Sequence, residues 1–417
     1  MSTIKLKSIC FEKTTVIYKF VVPDIIKNYL NSQFYRDDEY RLFVELPNQV
    51  DVRNVPESVL AIPFVGAMLG VAMAFNVSIS VKELDRKFYD SINNIQNVFN
   101  RMYPRGNFRV SIEIEKLIDN EIVNSDEKKS SVFFTGGVDA TSALLDVLDK
   151  KPLLVNIEGG DISLSDRVAH EKLAEYFGNL ASKIEGLDYC FIKSNCRELV
   201  REYEFDRVYK KVINRRQWHG YWASIAHIIV MVSTIAPLLY VENIEMHYIG
   251  SSYAKNDSTF DGNNELMIEA IKYCGCQFIS SDANLDRNQK VEKIVNYSKK
   301  TGVNFELQVC WYKNSGMNCS KCEKCYRTIM NILAAHGNPN DFGFVYDNNT
   351  MKEMKKFLET SIVNLTFWKQ NQDSFKKEKD YWENTELNWF IDFKFNSIVA
   401  YYNKIKEKIK RKTIKAY

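Results

Sequence analysis

The chain has 417 residues, of which 45% are hydrophobic and 26% charged, with a formal net charge of +3. That composition excludes a wholly disordered or fibrous chain, and the near balance of charge gives no support to a dedicated nucleic-acid binder. Nine cysteines, with no signal peptide read at the start, point to a reducing, cytoplasmic compartment and to thiol or metal chemistry rather than a disulfide framework.

Residues 1–125 read as an accessory α+β domain. Ile4 to Phe11, Thr15 to Val22, Arg41 to Leu46 and Phe108 to Ile114 carry β-branched and aromatic residues in rough alternation, which predicts a small mixed sheet. Between them Val59 to Phe75 is uncharged and invites a membrane reading. It is at the short limit for a span, holds Pro63 and lacks a basic flank, so a buried core helix is expected and no membrane partner. Leu84 to Met102 predicts an amphipathic helix with Phe88, Ile92, Ile95 and Phe99 on one side. The polar run Asn124 to Ser130 reads as a linker.

Residues 126–332 read as a nucleotide-binding domain. Strands and helices alternate in it as a doubly wound parallel sheet requires, the fold class expected for the core. Its organising stretch is Ser131 to Leu148. Val132, Phe133 and Phe134 suit an interior strand, Gly136 and Gly137 a tight turn, and Ala140, Leu144, Leu145 and Leu148 the apolar face of a helix. Amides at the start of that helix would face an anion, and a phosphate suits the position. Thr135 offers a hydroxyl, and Asp139 can hold magnesium or orient the amides. Neither GxxxxGK[ST] nor GxGxxG is present, which disfavours a Walker NTPase or a dinucleotide enzyme.

The next expected strand, Pro152 to Ile157, runs into Glu158, Gly159, Gly160 and Asp161. A helix from Arg167, a strand from Tyr189 to Lys193 and a long apolar helix from Trp218 to Leu239 follow. The strand Met246 to Ile249 then ends at Gly250, before a polar loop that includes Asp257. Ligands in such sheets bind where strands end, so Glu158, Gly159, Gly250 and Asp257 are candidate substrate contacts. Arg215 and Arg216 either grip a phosphate or carboxylate or are solvated surface charge. His227 on its apolar helix reads as a hydrogen-bonded core residue. His170 and His219 have no partner at informative spacing.

Cys310, Cys319, Cys322 and Cys325 follow at C-x8-C-x2-C-x2-C. Short Cys-x-x-Cys turns bring successive sulfurs to one side of a loop, so four thiolates can converge on one metal, with Lys321 and Lys324 offsetting their charge. A tetrahedral zinc is the expected occupant and an iron–sulfur cluster the competitor. Residues 333–417 read as a helical extension, with Phe357, Ile362, Leu365, Trp368, Trp382, Trp389 and Phe390 as a packed face. Its end, Lys404 to Lys415, is strongly basic: an exposed helix end, or a surface for an acidic partner or nucleic acid.

The run Thr135, Gly136, Gly137, Val138, Asp139, Ala140, Thr141 resembles the SGGxDS loop of the PP-loop ATP pyrophosphatases, which cleave ATP to AMP and pyrophosphate while adenylating a substrate oxygen. Thr135 keeps the hydroxyl of one family serine; Ala140 loses the other, with Thr141 or Ser142 as substitutes. Together with the cysteine spacing, the chain from about 131 to 330 resembles the 7-cyano-7-deazaguanine synthases, through the loop, Gly250 to Asp257, Asp286 to Lys293 and the cysteine run ending with Arg327.

The resemblance implies ATP, magnesium and a structural zinc, Asp139 as the catalytic acid group, and a deazapurine carboxylate as the small-molecule substrate. The glutamine–histidine loop of that family is replaced by EGGDISLSD, and the chain is about twice the family's length. Longer relatives in anti-phage systems attach a deazaguanine to a protein amine, so a protein acceptor or operon partner is expected in place of ammonia. A free-nitrile synthase, a tRNA-thiolating enzyme and an inactive zinc-stiffened scaffold stay open, as does a homodimer.

Overall fold

A computed structural model of the chain describes residues 2–122, 129–213, 219–251, 264–310 and 318–414. It is an α/β protein with an 11-stranded, mostly parallel sheet. The strands are β1 (Thr3–Glu12), β2 (Thr15–Val21), β3 (Tyr35–Arg36), β4 (Glu39–Glu45), β5 (Ser78–Asp85), β6 (Ile112–Ile118), β7 (Lys129–Phe133), β8 (Leu153–Glu158), β9 (Asp188–Ser194), β10 (Ile244–Gly250) and β11 (Gln277–Ser281). They lie in the order β11-β10-β7-β8-β9-β4-β2-β1-β5-β6, with β3 on the side of β4. The chain divides into two compact units, Met1–Phe134 with Asp146–Asn284, and Thr135–Leu145 with Leu285–Tyr417.

The first unit holds the whole sheet. Its parallel half, β11-β10-β7-β8-β9, changes direction between β7 and β10: β8 and β9 follow β7 on one side, while β10 and β11 are added on the other. In open α/β sheets such a reversal leaves a crevice beyond the carboxyl ends of the strands. The chain leaves β7 there and enters the glycine turn one residue after Phe134.

The expected break at residue 125 does not divide the sheet. Strand β4 pairs antiparallel with β9 through Val44 and Ser194, and through Glu45 and Lys193. Beyond that short ladder the side chain of Asn195 takes the place of a strand, accepting from the Phe43 N–H at 2.8 Å and donating to the Arg41 carbonyl at 3.0 Å. Backbone groups that a separate small sheet would have left at an open edge are thereby paired. The helices on both sides of residue 332 belong to the second unit.

Helix α1 (Glu57–Phe75) is apolar all round and buried along almost its whole length, as such a helix must be. It and the segment Trp222–Val241 are each long and apolar enough to cross a membrane, yet 89% and 83% of their most apolar windows lie inside the protein. Helix α2 (Arg86–Met102) buries Phe88, Ile92, Ile95 and Phe99 on one face, as its periodicity predicts. The strand expected at Phe108 starts only at Ile112, and β5 was not anticipated. The long helix expected from Trp218 is a π turn (Trp222–Ala226), then α3 (His227–Thr234), then α4 (Ala236–Val241). Pro237, which cannot donate to the preceding turn, accounts for the break at Ile235.

In the second unit α5 (Val138–Val147) follows the glycine turn. Helices α6 (Arg287–Thr301), α7 (Glu323–Ala334), α8 (Asn348–Thr360), α9 (Leu365–Lys377) and α10 (Ile398–Ile414) follow. Phe367, Trp368, Phe375, Trp382 and Phe390 form its buried aromatic cluster.

Candidate anion site and four-cysteine centre

The glycine turn is built as its sequence demands. Gly136 has φ +71°, a left-handed conformation that other residues adopt only at a cost. The Thr135 hydroxyl accepts from the Gly137 N–H at 3.4 Å, and the Gly137 carbonyl accepts from Thr141 N at 2.9 Å, the first bond of α5. Val138 and Leu144 are buried, and Ala140 and Leu145 are half-buried. Thr141, one of the two expected substitutes for the missing serine, is fully buried, and its hydroxyl has no hydrogen-bond partner among the described residues.

Asp139 lies in the first turn of α5 and faces the start of α6. Its Oδ2 accepts from Arg287 Nη2 at 2.9 Å, and its Oδ1 lies 3.4 Å from Lys290 Nζ. Burial pushes the Asp139 carboxyl up, but Arg287, Lys290 and Lys324 outweigh it and hold the group below its ordinary value. It is therefore a fixed anion. A divalent cation at this carboxylate would meet two positive charges, so the expected magnesium role does not fit Asp139; orienting its neighbours does.

The segment Asp286 to Lys293 carries part of the resemblance, but the sequence reading names neither Arg287 nor Lys290 as a site residue. Arg287 and Lys290 are nearly buried, with 9% and 2% of their side chains exposed. Lys293 Nζ, a turn further on, donates to the Ser142 carbonyl at 2.9 Å. Cations in the first turns of a helix oppose the helix dipole. That misplacement, at spacing i, i+3 and i+6 behind the Asp286 cap, was the available signal. The Arg287 Nε is buried without a hydrogen-bond partner among the described residues. The guanidinium groups of Arg287 and Arg327 lie over the Phe367 ring at 5.6 and 4.0 Å, which fixes their planes. Helix-start amides, hydroxyls and guanidinium N–H groups are the donor types that bind oxyanions, which makes this region a candidate anion site.

The four cysteines converge as their spacing predicts. Their sulfurs all lie within 4.8 Å of one another, with 4.0 Å between Cys310 and Cys322, 3.9 Å between Cys319 and Cys325, and 3.5 Å between Cys322 and Cys325. A metal with bonds of about 2.3 Å in a tetrahedron separates its sulfurs by about 3.8 Å. The set therefore fits a metal such as zinc. Cys322 caps α7, which carries Lys324 and Arg327.

In the first unit Glu158 ends β8 with its carboxylate 3.9 Å from Lys193 Nζ and 4.0 Å from His170 Nδ1. Gly159 has a packing reason to be glycine: at φ +93°, an added Cβ would lie 2.0 Å from the Ser194 carbonyl oxygen. Gly250 closes β10 beside Ser281. Arg215, Arg216 and Asp257 lie outside the described residues.

His227 is half-buried on the first turn of α3. Its Nε2 is 3.8 Å from Asp161 Oδ1, which also accepts from Trp222 Nε1 at 3.4 Å. Arg197 stacks on the Trp222 ring at 4.7 Å, donates to the Gly160 carbonyl at 3.1 Å and pairs with Glu202 at 2.5 Å. Burial lowers the His227 pKa, Asp161 opposes that and Arg197 reinforces it, so the imidazole is neutral at pH 7. The π turn Trp222–Ala226 leads directly into His227, and such turns are frequent at functional sites.

Comparison with protein-family models, with curated proteins and with solved structures finds no match for this chain.

Proposed function

We propose that the chain is an ATP-dependent enzyme of the PP-loop type. It forms AMP and pyrophosphate while activating a carboxylate, with 7-carboxy-7-deazaguanine as the expected acid, and passes the acyl group to a nitrogen nucleophile. The observation that carries this reading is the buried cationic pair Arg287 and Lys290, anchored on Asp139 beside a left-handed glycine turn that opens a helix. Fixed donors of this kind stabilise charge that develops on a leaving pyrophosphate without reorganising at the moment of reaction.

Within that reading the α5 amides and Arg287 bind the phosphate chain, Lys290 neutralises it, and Asp139 keeps both cations in register. Thr141 supplies the hydroxyl that Ala140 cannot. The four cysteines hold a structural zinc, since a closed set of four thiolates leaves no position for catalysis. Glu158, Asp161, Arg197, Trp222 and His227 are the polar and aromatic groups of the sheet unit suited to a flat, hydrogen-bonding substrate.

The test is purified protein with ATP, the deazapurine acid and either ammonium or candidate partner proteins. Pyrophosphate release that is lost in Asp139→Ala supports the assignment, and unchanged turnover in that variant removes it. A mass gain on a protein selects conjugation; free nitrile selects the metabolic reaction.

A further inference from the structure

Helix α10 turns its apolar side outward. Ile398, Tyr402 and Ile405 are 89%, 65% and 59% exposed, and Ile409 is 60% exposed. Their spacing of four, three and four residues is the seam of a coiled coil, and Val399 and Tyr401, each 55% exposed, flank it in the first turn. The opposite side holds the helix to its own unit. Ala400 is fully buried, Asn403 Nδ2 donates to the Thr360 carbonyl at 3.1 Å, and Ser397 Oγ donates to the Glu359 carbonyl at 2.8 Å. The seam is thus presented on a docked support.

Its charge selects the occupant. Lys404 and Lys406 are exposed next to the seam, and the sequence from Lys404 to Lys415 carries seven basic residues against the single acid Glu407. A second copy of α10 would set lysine against lysine, which coiled coils use to reject a partner. We propose that α10 is the docking helix for a partner protein, which supplies an amphipathic helix with glutamate or aspartate on both sides of its own apolar seam. A nucleic acid would use the lysines and leave the seam bare.

The probe is a fluorescent synthetic helix of about four heptads with isoleucine and leucine in the seam and glutamate at the flanking positions. Binding to the full chain is followed by anisotropy, beside the same peptide with lysine flanks, phosphatidylserine vesicles and a DNA duplex. The expected result is saturable binding of the acidic peptide that falls steeply between about 0.05 and 0.5 M salt, with no binding of the lysine peptide. The double variant Tyr402→Asp with Ile405→Asp, both at exposed positions, weakens it about tenfold or more while the melting temperature is unchanged. No saturable binding of the acidic peptide, or equal binding by the double variant, overturns the proposal. So does a preference for vesicles, DNA or self-association that depends on Tyr402 and Ile405.

Discussion

The backbone N–H of Gln308 donates to the carbonyl of Gly136 at 2.7 Å. Two residues later comes Cys310, the first of the four clustered thiols. One short segment therefore ties the glycine turn to the metal centre, and what loosens one loosens the other.

Removal of the metal is the first prediction. Metal analysis finds about one zinc per chain, with no visible absorption of the kind an iron–sulfur cluster gives. Chelation, or Cys322→Ser with Cys325→Ser, lowers the melting temperature and weakens ATP binding together, measured by scanning fluorimetry and calorimetry. A metal-free chain that melts and binds nucleotide as before would break the proposed link.

The second prediction concerns pH. Burial raises the Asp139 pKa, but Arg287, Lys290 and Lys324 lower it by more. A carboxylate whose folded pKa is depressed adds stability that is fully present above its unfolded value and lost as pH falls through the folded one. Asp139→Asn leaves two buried cations without their anion and costs about 2–4 kcal/mol at pH 7. In urea melts the gap between variant and parent shrinks below about pH 4. A gap of the same size at pH 7 and in acid would contradict the ion-pair account.

Thr141 separates a structural role from a ligand role. Its hydroxyl is buried without a hydrogen-bond partner among the described residues, so Thr141→Val leaves the melting temperature of the free protein unchanged or slightly raised. Pyrophosphate and ATP bind more weakly to the variant. Destabilisation with unaltered binding would assign Thr141 to packing.

Two glycines are predicted to fail differently. Gly159→Ala drives a Cβ to 2.0 Å from a backbone oxygen at positive φ and costs about 3 kcal/mol or more. Gly136→Ala carries the left-handed backbone penalty, about 1–2 kcal/mol, and is predicted to leave a folded chain with weakened pyrophosphate affinity. Chemical denaturation and anion titration together test the pair; the reverse order would mean the turn is misread.

Local pattern made much of this fold legible. The apolar run in α1, the four-residue stripe of α2 and the strand-to-helix change at Gly136 each depend on neighbours along the chain. Strand β5 was hidden because charged residues occupy positions 82, 83 and 85 in its second half. The joining of the first strands to the main sheet was hidden too, because it rests on Asn195, a side chain acting as a strand. Asp139 and the cysteines could be named from the sequence. Their setting could not: Arg287 lies 148 residues from Asp139, and no periodicity marks an ion pair of that separation.

The most direct measurement is the identity of the nucleotide product. Purified chain, ATP, 7-carboxy-7-deazaguanine and a nitrogen nucleophile (ammonium or a candidate partner protein), resolved by ion-exchange chromatography, are predicted to give AMP and pyrophosphate in equal amounts, with both lost in Arg287→Ala. Formation of ADP and phosphate by the parent chain, or of AMP and pyrophosphate at an undiminished rate by the variant, would contradict the account.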